Sequence, residues 1–360
     1  MLSYRINNFL RHTYACTISN CRSFASTSVE TDIGLEERNP APYFFNRNVQ
    51  SYLKRLTTVD YAKIFRTRKD GHRLKAPEYK FLTDEELQEA TEAAKRRAHK
   101  YLQMPPVVKK RVDPSVLLCE DPALKGHDTA KYVFTDITYD LNDKERPIVV
   151  REPEGTLRHA TWQERDRIIQ IYFPKPAREI EKPKMFEAEY LKDLLDRNEY
   201  IFILDRACVQ FEPDDPDYQA VTREVYEHIN REKHFDILRS TRHFGPMVFH
   251  LAWTRNIDNL LCEMIETGRI EHAAILIRLV HLIYPSMKSV IEKCNVRDNV
   301  EFIMHYAHLE EKSIVEKLLQ SYKELQQVHQ IVQEDIKQEQ EQEHSIQNLN
   351  SETEKVNINQ

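Results

Sequence analysis

Apolar residues recur along most of this chain at the three- and four-residue steps of a helix, and one stretch switches to a two-residue rhythm. Val49, Tyr52, Leu53, Leu56, Val59 and Ile64 predict a helix over 46–65. Thr83-Asp84-Glu85-Glu86 is a capping box, and Leu87, Ala90, Ala94 and Ala98 share one face of the helix it opens, which runs to about Gln103. Between 130 and 160 the period becomes two. Tyr132-Val133-Phe134-Thr135 and Ile148-Val149-Val150-Arg151 read as strands, and Pro153-Glu154-Gly155 turns the chain into a third at Thr156-Leu157-Arg158. Thr161-Trp162-Gln163-Glu164 is a second capping box, opening a helix to about Tyr172.

Beyond residue 187 the helical period returns. Ile201, Leu204, Cys208 and Phe211 fall on one face. Pro216 opens a helix over 216–230 with Asp214 or Asp215 as cap, and Pro246 opens another to about Thr254. Helices at 256–267 and 269–283 follow, and one from 298 runs past 330. The expected fold class is α+β, mostly helical overall: a small mixed α/β module followed by an all-helical, α-solenoid-like half, without a fixed-period repeat. The expected boundaries are a leader over 1–24, an extended arm over 25–45, an α+β module with a basic helix over 46–180, a helical domain over 181–332 and a polar, disordered tail over 333–360.

Glycine supplies only 6 of 360 residues, and neither G-x-G-x-x-G nor G-x-x-x-x-G-K-S/T occurs, which excludes dinucleotide and P-loop cradles. Net charge is -6, but its sign is uneven. Residues 1–29 carry Arg5, Arg11 and Arg22 and no acid, while 320–360 carry eight acids and three lysines. An acid-free amphipathic start with Arg22-Ser23-Phe24-Ala25 reads as a mitochondrial transit peptide and its cleavage site. The most apolar stretch, Ile270 to Tyr284, is too short and too charged to span a bilayer. Six cysteines at scattered positions, with no C-x-x-C, suit a reducing compartment.

Catalytic constellations are missing: no nucleophile elbow, no HExxH, no ordered Ser/His/Asp set. Glu152 with Glu154, the Asp214-Asp215-Asp217 group and the His305/His308 pair read more simply as turn charges, a helix cap and surface or packed histidines. No cofactor, metal or small-molecule substrate is expected. Basic clusters carry more weight. Residues 61–112 hold 14 lysines and arginines against 7 acids. Arg66, Arg68, Lys69, Arg73 and Lys75 form one cluster, Arg97 and Lys100 a second on the capped helix, and Lys109, Lys110 and Arg111 a third. Arg239 and Arg242 form a fourth just before a helix start. Such clusters suit phosphate backbones, whose neutralisation releases counterions. They equally suit a solvated face, and in the fourth case ties between helices.

The ordered succession Met104-Pro105-Pro106-Val107, Lys131 to Ile137, Ile148 to Pro153, Gly155 to Arg158, Trp162 to Arg167 with Tyr172-Phe173-Pro174, Phe211 to Asp214, and Leu238 to Arg242 resembles the family of mitochondrial ribosomal protein S-twenty-two, a small-subunit component of animal mitoribosomes. The likeness runs over roughly 45–325. It implies a non-enzymatic protein of the mitochondrial matrix, built into the mitoribosome against small-subunit rRNA and neighbouring ribosomal proteins. A helical adaptor or RNA-processing factor free in the matrix is the alternative expectation.

Overall fold

The computed structural model describes residues 38–65, 79–287, 298–324 and 327. The expected leader over 1–24, the cluster Arg66, Arg68, Lys69, Arg73 and Lys75, and the tail over 333–360 lie outside the described residues. In chain order the elements are α1 (Ala41–Phe44), α2 (Arg47–Thr57), α3 (Tyr61–Ile64), α4 (Asp84–Tyr101), β1 (Leu117–Glu120), β2 (Tyr132–Thr135), β3 (Ile148–Arg151), β4 (Thr156–His159), α5 (Trp162–Tyr172), α6 (Ala188–Asp196), α7 (Tyr200–Gln210), α8 (Pro216–Glu232), α9 (Phe235–Leu238), α10 (Phe244–Trp253), α11 (Asp258–Glu266), α12 (Ile270–Ile283) and α13 (Asn299–Leu309). A further helical stretch covers 313–324. The chain is mostly helical, with a single small sheet among the described residues, as its periodicity predicts.

The sheet is antiparallel throughout, in the order β1-β4-β3-β2. Tyr132 pairs with Arg151 and Thr135 with Ile148 in one ladder, and Arg151 with Leu157 in the next. The two-residue rhythm sends Ile148 and Val150 to the face that α5 covers, where they meet Ala160 and Ile169 in a small core. Strand β1 escapes the sequence rhythm, because Leu117-Leu118-Cys119-Glu120 is exposed at every position and its register slips between Leu117 and Cys119.

The large core is helical. Phe44, Leu53, Leu56, Tyr200, Phe235, Phe244 and Phe249 are all buried within it, each contributing on the order of 2 kcal/mol by leaving water. Helix α2 inserts its Val49/Leu53/Leu56 face against α10 and α12. It therefore packs with the helical elements and not with the sheet that follows it in sequence. Periodicity identifies an apolar face but not the partner that covers it.

Three other expectations are corrected. The arm expected to be extended contains a helical turn, and its Phe44 is buried against the Phe249 ring at 5.2 Å. The helix expected over 46–65 breaks after Thr57. There Thr58 adopts φ 60°, the Ser240 amide donates to the Thr57 carbonyl, and the Asp60 amide donates to Ser240 Oγ. A tertiary contact thus replaces the helix's own hydrogen bonds. The helix expected from 298 past 330 stops at Leu309, with Glu311 left-handed at φ 57°.

Both capping boxes form. The second does more than cap. Glu164 also pairs with Arg158 at 2.8 Å and Lys131 at 2.5 Å, while Glu152 pairs with the same two cations at 2.6 and 3.1 Å. Glu152 is therefore a member of a four-charge network and not a solvated turn charge. The Arg158 hydrogen bond above all, then Lys131 and the Thr161 amide, hold the Glu164 carboxyl far below the usual range against the opposing effect of burial. Its stabilising contribution is complete above the ordinary glutamate pKa of 4.5 and is lost as pH falls toward the lowered value. His250 acts at higher pH. Desolvation, aided by the Arg223 charge, pushes it down to about 4 from 6.5, so below 6.5 the unfolded chain binds a proton that the folded chain refuses. Urea midpoints are therefore expected to fall in two steps on acidification, and Glu164→Gln is expected to shrink the lower one, to which Asp205 and Glu212, also held below their ordinary range, contribute as well. A midpoint that is flat from pH 7 to 4 contradicts this.

Candidate nucleic-acid interface

Helix α4 carries Asp84, Glu85 and Glu86 in its first turn and His99 and Lys100 in its last, which complements the helix dipole. Its C-terminal end is its root. Ala98 is the buried residue there, the Tyr101 ring meets Phe65 edge-on at 6.0 Å, and the Arg97 guanidinium lies over both rings at 5.4 and 5.9 Å. Arg97 is thus oriented by stacking while its side chain stays exposed. Lys95 and Lys100 are exposed on the same end, and Arg96 leans toward Glu92 at 3.7 Å across a solvated i,i+4 pair worth a few tenths of a kcal/mol. Lys109 and Lys110 are exposed on the segment that follows.

The other predicted cations are used within the fold. Arg111 has a buried side chain that binds Asp166 at 2.8 Å and Asp215 at 2.5 Å and lies 4.6 Å over the Trp162 ring. Its amide also donates to the Asp214 carbonyl. Asp166 belongs to α5 and Asp215 caps α8, so Arg111 ties the sheet's helix to the helical core. Arg239 is likewise buried, paired with Asp236 at 2.8 Å and with Glu263, over the Phe244 ring. Neither side chain is presented to an external phosphate, and the tie between helices is the reading that fits Arg239.

Arg242 is half-exposed and pairs with Asp205 at 2.7 Å. It lines a cleft of about 400 Å³ with Lys63, Tyr101, Ser240 and His243, next to the root of α4. Burial raises the Asp205 carboxyl, but the His243 hydrogen bond and the Arg242 charge outweigh it and hold the group below the ordinary range. Desolvation lowers His243, so the site rests as carboxylate, guanidinium and neutral imidazole. The carboxylate already occupies the position an anion would take. Arg111 and Arg239 are thus occupied within the fold and Arg242 is paired with Asp205, because sequence reveals a cation but not the acids that distant segments bring to it.

A surface cation that the candidate set omits lies beside Lys110. Arg167 is exposed on α5 and lines, with Lys110, a polar cleft of about 790 Å³. The helical period of α5 places Arg167 opposite the buried Ile169, which is the signal that finds it. The Asp215 carboxyl accepts from the Asp217 amide at 2.8 Å as the cap of α8, and among the described residues no group of three or more acids, histidines or cysteines is placed to hold a metal ion.

The family described as "Mitochondrial 28S ribosomal protein S22" matches residues 42–285. The chain belongs to that family. The match starts inside α1 and ends just past α12, so it covers the sheet and most of the helical core. Curated relatives agree. "Small ribosomal subunit protein mS22" of Bos taurus is 41% identical over 286 residues, 79% of each chain, and the protein of the same name in Mus musculus is 40% identical over 287 residues, again 79% of each. Members of the S22 family are mitochondrial proteins of the small ribosomal subunit, a structural class.

Proposed function

We propose that this S22-family chain is a structural constituent of the mitochondrial small ribosomal subunit that grips rRNA backbone with the root of α4 and the segment after it, and packs against neighbouring ribosomal proteins with the rest of its surface. The observation that carries this is the exposed basic end of α4, Lys95 to Lys100, oriented by Phe65 and Tyr101 and followed by exposed Lys109 and Lys110. Arg66, Arg68, Lys69, Arg73 and Lys75, between Phe65 and α4 in sequence, add five more cations for rRNA backbone. With no base-reading module among these residues, contact is to backbone and shape. Support through assembly and mitochondrial translation follows from that position.

The test is incorporation. Reversing Arg66, Arg68 and Lys69 to Glu is expected to reduce the fraction of the chain that sediments with small subunits far more than reversing Lys323, Lys337 and Lys355. Equal incorporation of the two variants counts against the proposal. Reversing Arg97 and Lys100 is expected to flatten the salt dependence of rRNA binding by about 0.7 in log-log slope for each lost phosphate contact. A chain that sediments apart from ribosomes, insensitive to ribonuclease, supports the free adaptor instead.

A further inference from the structure

Helix α4 is about 27 Å long at 1.5 Å per residue, yet among the described residues its packing is at its root. Every residue from 79 to 93 is exposed, and the main packing partner of α4 among the described elements is the single turn of α3. Most helical stability in proteins comes from tertiary packing, which this end of α4 lacks among the described elements. The capping box at Thr83 and the Leu82/Leu87 pair, spaced as a hydrophobic staple, fix the tip locally. What they leave unexplained is the aromatic side chains just ahead of them: Phe81 is 107% exposed and Tyr79 88%. Hydrophobic surface held this far from any core marks an interaction site.

The charge of the tip selects the kind of partner. From residue 79 to 94 the only cation is Lys80, against the five acids Asp84, Glu85, Glu86, Glu89 and Glu92. Glu86 closes the capping box and Glu92 faces Arg96. Asp84, Glu85 and Glu89 remain, pointing into solvent beside the aromatics. The dipole explains acids in the first turn. It explains neither Glu89 in the second turn nor Phe81 outside the helix. A phosphate backbone is repelled by this end, whereas a lysine- and arginine-rich protein surface is attracted to it, and aromatic anchors ringed by charge are the usual centre of a protein interface.

We infer that α4 is a two-ended strut whose acidic, aromatic tip docks on a basic surface of a neighbouring small-subunit protein, with Phe81 as the anchor. The inference builds on the proposal that the root of the same helix lies on rRNA. Together they make α4 a bridge between RNA and protein rather than an RNA-binding helix along its whole length.

The experiment uses the full chain in mitochondria that lack the endogenous copy. The photoreactive residue benzoylphenylalanine is placed at position 81 in one variant and at position 100 in another. Small subunits are purified, irradiated and analysed by mass spectrometry. Position 81 is expected to join a ribosomal-protein peptide in which lysine and arginine outnumber acids, and adding Glu85→Lys with Glu89→Lys is expected to lower that yield about tenfold. Position 100 is expected to join rRNA. Adducts of rRNA at both positions sink the bridge and leave the rRNA grip standing. A basic-protein adduct at 81 with none to RNA at 100 sinks the rRNA grip and leaves the docking tip. An acidic or absent partner at 81, or a yield indifferent to charge reversal, overturns the inference. Both positions are exposed, so these changes leave the core intact.

Discussion

Arg111→Ala is expected to destabilise the protein by about 3 kcal/mol, the low end of what stranding a buried acid without its cation costs, because Asp215 is buried while Asp166 keeps contact with water. The side chain is only 8% exposed and serves two carboxylates on different elements, Asp166 of α5 and Asp215 at the start of α8. Desolvation already raises the Asp215 pKa with Arg111 in place. Removing the guanidinium takes away the main charge that opposes that rise, so the deficit should narrow under acid conditions, where Asp215 carries a proton. Arg111→Lys should recover only part of the loss, since an ammonium cannot lie over the Trp162 ring as the planar guanidinium does. Urea unfolding at pH 7 and pH 4 measures both effects. Lys110→Glu supplies the contrast: Lys110 is exposed, and its effect on stability should stay within about 0.5 kcal/mol. If Arg111→Ala leaves stability untouched, its role as the tie between sheet and helices is wrong.

Gly155→Ala carries the second large expected effect, about 3 kcal/mol from a strained backbone and a collision together. Gly155 sits at φ 91°, a region that side chains rarely tolerate, and a Cβ there would run into the carbonyl of Asp121. The same residue's carbonyl accepts from the Asp121 amide and from Arg151 Nη1, both at 3.0 Å. The substitution therefore disturbs the β3–β4 turn and the attachment of β1 at once. Because the large helical core shares none of these contacts, the loss should appear as faster hydrogen exchange in β1 and β4 with α10 and α12 unchanged. Uniformly faster exchange, or none, contradicts this.

The sequence was most legible where a rule acts over a few residues. Thr83 with Glu86 and Thr161 with Glu164 announce their helices because a cap needs only its own first turn. Strand β2 follows from the alternation of its residues, β3 from its β-branched run and β4 from the turn before it, and helices α8 and α10 to α12 fall within two residues of their expected ends, whereas α9 had no signal of its own. Long-range contacts were illegible. Nothing local to Thr57 says that Ser240 will end its helix, and nothing local to Leu53 says that α10 and α12 will cover it. The interface divided in the same way. Arg97 and Lys100 stay exposed as their helical positions suggest, whereas Arg111 and Arg239 were lost to acids 55 and 24 residues away. A cation count locates basic segments. Only the fold decides which of those charges remain for a partner.

The seat of α2 between α10 and α12 has a consequence for how the protein comes to exist. Leu53 and Leu56 find their cover about two hundred residues downstream, near Phe249 and Leu276. A chain delivered to the organelle amino-end first must keep that greasy surface out of trouble until nearly everything else has arrived. The β-sheet and α5, whose contacts are local, can settle meanwhile. Completion is thus a closing step made by an early helix on late ones, and a product cut short before α12 would leave α2 without its seat.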